Sequence, residues 1–303
     1  MRPPEPACRL YALLAGDGRS AVVFRRGPSR EVCLVRWWLA SDTFEIGQWL
    51  KGRIYERRGD LSHDGELLIY FAAIHKAPVY SWTAVSRPPY LTALAFWPKG
   101  DCWGGGGRLA SRHHVLLNHG ADALALGNGF KLPSRVRVEP IGEWAGRGED
   151  FPVCHDRMVR DGWLCTAPGV AGPYSQTGHA RWTLHEPELY ERAQPARARH
   201  ASGLVLQRAL RAVGVVDGPW YREDFMVLSP QRDVLRRFES CDWADWQATG
   251  DLLLARQGKL YRLPAGEAAR ASPDPLAGAR ELIDLAPLRF EPLSPPDRAR
   301  RWA

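Results

Sequence analysis

The sequence lacks the features that mark membrane, secreted and metal-clustered proteins. No apolar run approaches the roughly 18 residues of a membrane span. The apolar stretch before Asp17 is too short for a secretory signal, and the 6 cysteines include no C-x-x-C pair. We therefore expect a globular cytoplasmic protein with no membrane segment, whose thiols are free and mostly buried.

Lysine is also scarce, so the formal net charge of +7 comes almost wholly from arginine. Together with abundant Ala, Gly and Pro, this bias fits a GC-rich genome as well as it fits a ligand. A nucleic-acid surface would need its positive charges on one face. The densest basic cluster consists of Arg192, Arg197, Arg199, His200, Arg208 and Arg211. We interpret it as a solvated loop and strand face, with nucleic acid as the weaker alternative for a partner.

Sustained helical periodicity is nearly absent before residue 200, and short apolar runs bounded by Gly, Asp or Pro take its place. "SAVVFRR", "EVCLVRWWLA" and "ELLIYFAAI" are examples, and all have the length and composition of strands. "SGLVLQRALRAVGV" fits both a helix and a strand, and we predict a strand. The pattern therefore predicts an all-β protein, with helix confined to short segments and the C-terminal tail.

Asp-Gly pairs recur between these runs, roughly 50 residues or about twice that apart. Asp-Gly between apolar flanks is typical of a tight turn. The four pairs are Asp17-Gly18, Asp64-Gly65, Asp161-Gly162 and Asp217-Gly218. The surrounding sequence repeats as well, because "DLSHDGELLIYFAA" is echoed by "DWQATGDLLLARQGKLYRLP". Each copy joins a polar turn to an apolar strand, which indicates a repeated unit of short strands.

At these residues the chain resembles the β-propeller repeats of the WD40-like and TolB-like kind, whose blades carry a Ser-Pro-Asp-Gly turn before a strand. Ser62, Asp64 and Gly65 match that turn, and His63 stands in place of Pro. The resemblance implies a propeller-like array of short antiparallel sheets, with five blades, six blades or an incomplete ring. A large sandwich or barrel is the alternative all-β fold. We assign residues 1–264 to the propeller-like domain and 265–303 to a Pro/Ala/Arg-rich, mostly irregular segment with short helical turns.

The 13 tryptophans are expected chiefly in packing between sheets, where a large apolar ring is most useful. Trp243 and Trp246, in "CDWADW" at the start of the second repeat copy, are assigned to this role. Trp103, directly before a run of four glycines in "CWGGGG", is the tryptophan that we expect to be exposed.

Two segments bring His and Cys together, but neither has the two closely spaced ligand pairs of structural zinc. They hold His113, His114 and His119 in one case, and Cys154, His155 and Cys165 in the other. The glycine run 104–107 lacks the Lys-Ser/Thr and helix of a phosphate loop, so we interpret it as a flexible connection. We accordingly expect no metal and no cofactor. "RGD" at Arg58 to Asp60 is attributed to chance.

Carboxylates such as Glu149, Asp150, Glu186 and Glu188 could serve a glycosidase only if two of them face each other across a cleft. The sequence contains no G-x-S-x-G or H-E-x-x-H motif. We therefore favour a non-enzymatic module that binds another protein through its loops. The alternative is a carbohydrate-active hydrolase with acidic residues in a central cavity. The predicted contact residues are Lys99, Trp103, Arg108, Arg197 and Arg199, since Trp and Arg dominate interface energetics.

Overall fold

The computed structural model describes residues 8–27, 30–171, 180–196, 202–215 and 220–302. Strand accounts for 46% of the protein and helix for 8%, which confirms the all-β prediction. The strands form five small separate sheets, as expected for repeated short-stranded units, rather than one large sandwich or barrel. The chain divides into two compact units: unit I is Tyr11–Asp161 with Leu288–Ala303, and unit II is Met1–Leu10 with Gly162–Pro287. The boundary expected after residue 264 falls inside unit II.

Three sheets build most of unit I, and the boundary with unit II falls within the first strand. The first sheet is an antiparallel meander of β1 (Arg9–Leu14), β2 (Ser20–Arg26), β3 (Glu31–Trp38) and β4 (Thr43–Lys51). The second contains β5 (Arg53–Ile54), β6 (Asp60–Leu61), β7 (Leu68–Ala73), β8 (Ser81–Ser86) and β9 (Ala93–Pro98), with β5 and β6 both paired to β7. The third contains β10 (Gly107–Ser111), β11 (His114–Leu117) and β12 (Arg137–Pro140), the last pairing in parallel with β11.

Two further sheets lie in unit II. One contains β13 (Trp163–Ala171), β14 (Ala180–Ala193), β15 (Val205–Val215), β16 (Tyr221–Leu228) and β17 (Val234–Phe238). The other contains β18 (Trp243–Trp246), β19 (Leu252–Arg256), β20 (Lys259–Leu263) and β21 (Arg280–Asp284). In both sheets each strand pairs antiparallel with the next strand in the chain. The ambiguous "SGLVLQRALRAVGV" segment forms β15, as predicted.

The continuous apolar run of β7 is explained by packing on both of its faces. Leu68 and Tyr70 belong to a core cluster with residues of the first sheet, while Ile69 belongs to a cluster with residues of the third. Because side chains alternate between the faces of a strand, a strand covered on both faces needs apolar residues at every position. All six residues of β7 are buried accordingly.

The predicted Asp64-Gly65 turn is confirmed. Gly65 has φ +72° and donates its N–H to the carbonyl of Ser62 at 2.9 Å. The echo copy has the same hydrogen bond from Gly250 to Gln247 at 2.9 Å. Because both turns lead directly into a buried strand, the two copies are structural as well as sequence repeats. Asp217-Gly218 lies outside the described residues.

One helix of unit I was missed in the sequence. Helix α1 spans Phe151–Arg160 and buries Val153, Cys154, Arg157 and Met158 along one side. Pro152 in its first turn was the available signal, since proline is favoured there. The remaining helical segments are short: 3₁₀ turns at Glu56–Arg58 and Asp297–Arg300, and α2 at Ala265–Ala268. Apart from these last two and β21, the C-terminal tail is irregular, as expected.

Two further expectations concern the membrane and the thiols. Within the described ranges, no helix has both the length and the apolarity needed to cross a membrane. The cysteines are free, and Cys8, Cys33, Cys154 and Cys241 are buried, as predicted.

Candidate functional site

Residues 99–107 run from the end of β9 to the first residue of β10 in unit I and carry an exposed tryptophan. The side chain of Trp103 is 62% exposed, as its position before the glycines predicted. Its backbone N–H donates to Asp101 Oδ1 at 2.7 Å, and Lys99 Nζ lies 2.8 Å from both oxygens of the same carboxylate. The peptide that carries Trp103 is therefore held by local hydrogen bonds although its ring lies in solvent.

The glycine run 104–107 is buried, so the predicted flexible connection is a packed one. Gly105 and Gly106 have φ of +85° and +80°, a region that favours glycine. A Cβ on Gly105 would overlap the ring of Phe71, and one on Gly106 would overlap the carbonyl oxygen of Arg58. Only glycine permits the backbone to approach these residues so closely.

The buried guanidinium of Arg58 anchors this loop. Arg58 is only 1% exposed, and its Nη1 donates to the carbonyls of Cys102 at 2.8 Å and Gly104 at 2.6 Å. Its Nε donates to the Asp150 carboxylate, and Nη2 lies 3.5 Å from Glu149 Oε2. These partners compensate the large cost of burying a charge.

Two aromatic rings complete the surroundings of Arg58. The guanidinium lies 4.6 Å from the centroid of the Tyr55 ring and 5.3 Å from that of Phe71. At these distances a cation is attracted by the negative face of an aromatic ring. The position of the loop backbone is consequently fixed by a guanidinium that is almost wholly buried.

A second buried network supports the other end of the glycine run. The Gly106 N–H donates to Thr83 Oγ1 at 2.8 Å, and Thr83 Oγ1 lies 2.8 Å from His119 Nε2. His119 Nδ1 lies 3.1 Å from the carbonyl of Ala123, so Nδ1 carries the proton and Nε2 accepts from the threonine hydroxyl. Burial lowers the pKa of His119 to about 4 and keeps the imidazole neutral.

The segment before α1 packs against the same loop. Asn118 accepts from the Gly146 N–H at 2.9 Å and donates to the Gly105 carbonyl at 3.3 Å. Two large exposed side chains lie beside these contacts: Trp144 is 69% exposed and Phe151, next to the Arg58 partner Asp150, is 62% exposed. Three exposed aromatic residues therefore emerge from backbone segments that are tied to one another. We call Trp103, Trp144 and Phe151 the aromatic patch.

The structure places the predicted contact residues in different roles. Lys99 holds the loop through Asp101, and its side chain is largely covered. Arg108 lies in β10, where its guanidinium pairs with the Asp156 carboxylate of α1. Only Trp103 of these three presents most of its side chain to solvent. Arg197 and Arg199 lie outside the described residues.

Three other motifs of the sequence were considered as functional sites: the RGD tripeptide, the glycine run and the His/Cys segments. Arg58 and Asp60 of the "RGD" tripeptide are buried, so this tripeptide is not accessible for binding to a receptor. The N–H groups of Gly105 and Gly106 are bound to Asn118 and Thr83, which leaves neither amide for a phosphate. Among the described residues there is no group of three or more His, Cys, Asp or Glu side chains that could hold a metal ion.

The carboxylates do not favour the hydrolase alternative. Glu149 and Asp150 both pair with Arg58, and Glu188 lies 3.8 Å from the Arg208 guanidinium. A cavity of about 320 Å³ in unit I is lined by Pro98, Ala123, Ala125, Leu126, Gly127 and Asn128. This lining holds no acid or base, so the cavity offers no general acid–base pair for glycoside hydrolysis.

No protein-family model matches the sequence, and a search of the curated proteins finds no match.

Proposed function

We propose that the protein is a non-enzymatic cytoplasmic module that binds another protein through the loop 99–107, on a scaffold of WD40-like or TolB-like blades. The observation that carries this proposal is the pairing of an exposed Trp103 with a backbone fixed from below by Arg58. Exposing an apolar ring of this size to solvent does not stabilise the fold, whereas a binding surface gains most from such residues.

Preorganisation supports the same assignment. Ordering a mobile loop on binding costs conformational entropy, which lowers affinity. The glycine run and the Arg58 contacts order the loop when the protein folds, so binding a partner does not require further ordering of its backbone. A rigid backbone with a single projecting tryptophan is accordingly suited to act as an anchor that fills a pocket on the partner.

The aromatic patch gives this surface the composition of an interface. Interface centres are rich in Trp, Tyr and Phe, and their rims are polar. Trp144 and Phe151 are further exposed aromatic residues on the segments that pack against this loop, and Glu143 and Arg147 are exposed nearby in the chain. This mixed charge favours a protein partner over nucleic acid, which would require a surface of positive charge. Arg197 and Arg199 stay a predicted second contact.

The test is quantitative affinity purification of the tagged full chain from its native cell, followed by binding measurements with the purified partner. Trp103→Ala is compared with Trp220→Ala, which removes an exposed tryptophan from unit II. We expect Trp103→Ala to weaken binding by about tenfold or more, as for an interface hot spot, and Trp220→Ala to leave it unchanged. An Arg197→Ala/Arg199→Ala double variant tests the second contact.

Two outcomes would overturn the proposal. If every partner binds the Trp103→Ala variant as it binds the wild type, the loop is not the contact surface. If only nucleic acid co-purifies and moderate salt removes it, the binding is electrostatic and the module does not act on proteins. Equal melting temperatures of the variants are required for either conclusion.

A further inference from the structure

Three ion pairs whose carboxylates lie on the segments of the aromatic patch divide their exposure unequally, with the cation covered and the carboxylate exposed. The exposed fractions of the cationic and acidic side chains are 13% and 55% in Lys99–Asp101, 2% and 43% in Arg58–Glu149, and 12% and 46% in Arg108–Asp156. Although each carboxylate is matched by a cation, the member of each pair that a partner would contact is the carboxylate.

Several ion pairs elsewhere in the chain have the opposite arrangement. The arginine is the more exposed member of Arg19–Asp17, Arg232–Glu191 and Arg298–Glu45. This is the expected arrangement at a surface, because a long cationic side chain keeps its charged end in water. Arg58 and Arg108 differ because each also donates to a backbone carbonyl of the fold. The negative surface charge is therefore a particular feature of this part of unit I.

The first of these carboxylates shares a loop with the exposed tryptophan. Asp101 accepts the N–H of Trp103 at 2.7 Å, so the carboxylate is fixed beside the residue that carries the ring. The next residue, Gly104, packs against the segment that carries Trp144, since a Cβ on Gly104 would lie 3.1 Å from the carbonyl oxygen of Gly146. The two exposed tryptophans therefore emerge from backbone segments that are in contact.

The other two carboxylates flank the third aromatic residue of the patch. Glu149 precedes Phe151 by two residues, and Asp156 lies in α1, whose first residue is Phe151. The ring of Phe151 stacks on that of His155, with centroids 4.8 Å apart and planes inclined by 14°. Exposed acidic and aromatic side chains thus occur together on both segments of the candidate site.

The segment before α1 is acidic in composition as well. Residues 142–150 contain Glu143, Glu149 and Asp150 but only one cation, Arg147. The whole protein has a formal net charge of +7, but charges more than about 8 Å away are largely screened at physiological ionic strength. The local carboxylates therefore determine which charge on a partner is attracted to this surface.

The exposed rings favour the same sign of charge on the partner. An arginine or lysine side chain is attracted to the face of an aromatic ring, and most strongly to tryptophan. Carboxylates beside the ring can accept charge-assisted hydrogen bonds from the same cation. An acidic protein segment or a nucleic-acid phosphate would instead be repelled by these carboxylates.

We propose that the partner presents a positively charged segment to the aromatic patch, with an arginine or lysine side chain on the ring of Trp103 and paired with the exposed carboxylates. This inference rests on the proposed function, because it names the chemistry of the protein that the loop 99–107 binds. A covered cation beneath an exposed carboxylate keeps the fold stable while leaving the carboxylate available to a second cation.

Binding of short labelled peptides to the wild-type full chain tests the sign of the charge, with fluorescence anisotropy as the readout. Three peptides have the same Gly-Ser framework and carry Arg, Gln or Glu at the same positions. We expect the Arg peptide to bind about tenfold or more tightly than the Gln peptide at low salt, and the Glu peptide to bind most weakly. Added salt should reduce these differences. Equal affinities for the Arg and Gln peptides would overturn the proposal, and this comparison requires no variant.

Two double variants and one single variant locate the binding of the Arg peptide. Glu149→Gln/Asp156→Asn removes two of the carboxylates, and Glu281→Gln/Asp284→Asn is the matched control because it removes two partly exposed carboxylates of unit II. We expect the first double variant and Trp103→Ala each to weaken binding by about fivefold or more, and the control to leave it unchanged. If all three bind the Arg peptide as the wild type does, the peptide binds elsewhere and the proposal is wrong.

Measurements with the purified partner separate this inference from the proposed function. If Trp103→Ala abolishes partner binding while the Arg and Gln peptides bind alike, the loop is the contact surface but its ligand is not basic. If Trp103→Ala leaves partner binding unchanged, the proposed function itself fails. Should the Glu149→Gln/Asp156→Asn variant have a lower melting temperature, the peptide comparison on the wild type decides.

Discussion

The hydroxyl oxygen of Thr83 lies 2.8 Å from His119 Nε2, and both side chains are fully buried beneath the glycine run. Thr83 also accepts the Gly106 N–H, and His119 Nδ1 donates to the Ala123 carbonyl. Each of these groups can fill its role only while the imidazole is neutral, because a proton on Nε2 would replace an accepted hydrogen bond with a second donor. The support of the loop is therefore coupled to pH.

The stability of unit I should fall in mild acid because of His119. Its pKa is lowered to about 4 in the folded protein, below the value of about 6.5 in an unfolded chain. The unfolded state then binds more protons between these values, so the contribution of His119 is fully present above about pH 6.5 and is lost as the pH falls towards 4. The loss should be on the order of 3 kcal/mol, measured by urea unfolding across this range.

A His119→Gln variant is the control for this pH dependence, because glutamine does not titrate. It should be less stable than the wild type near neutral pH, by about 1–3 kcal/mol for the altered buried hydrogen bonds. The difference between the two proteins should shrink in acid. If the free energies of unfolding of the two proteins change with pH in parallel, His119 is not the group responsible for the pH dependence.

Strands and turns were predictable because they depend on residues close together in the chain. The β7 run and the Asp64-Gly65 turn could be read directly, since burial on both faces demands apolar residues and positive φ favours glycine. The glycine run was recognised as a connection, but its packing was not, because that packing depends on the approach of Phe71 and Arg58.

The anchor of the candidate site was not predictable for the same reason. Arg58 binds carbonyls 44 and 46 residues further along the chain and a carboxylate 92 residues away. Nothing in the local sequence distinguishes it from the many exposed arginines of this chain.

Replacement of Gly65 tests the repeated turn. Gly65→Val should destabilise the protein by about 1–3 kcal/mol, because a β-branched residue is strained at positive φ. A Cβ there would also overlap Ser20 Oγ. Gly142→Val is a suitable control, since a Cβ at Gly142 would have no atom within 4 Å and φ is not in the left-handed region. The free energy of unfolding of each variant is measured by urea titration. Equal values for the two variants would mean that the turn tolerates a side chain at residue 65.

Removal of the Arg58 charge should be among the most damaging single changes in unit I. Arg58→Met removes a buried charge that donates to the Asp150 carboxylate and to the carbonyls of Cys102 and Gly104, at a cost of about 3–5 kcal/mol. Arg112→Met is the matched control, because Arg112 pairs with Asp64 near the surface and such a pair contributes about 1 kcal/mol or less. Chemical denaturation of both variants measures the difference, and a loss at Arg58 no larger than that at Arg112 would show that the anchor is dispensable.

Trp103 should contribute almost nothing to folding, in contrast to a tryptophan only six residues earlier in the chain. Trp97 is fully buried and donates its indole N–H to the Leu124 carbonyl at 3.2 Å, so Trp97→Ala should cost about 3–5 kcal/mol through the cavity and the lost hydrogen bond. Trp103 has most of its ring in solvent, and its backbone is held by Asp101 whatever the side chain is. Trp103→Ala should therefore change the free energy of unfolding by less than about 0.5 kcal/mol. If Trp103→Ala instead destabilises the protein as Trp97→Ala does, the ring packs on the fold in solution and is not displayed for a partner.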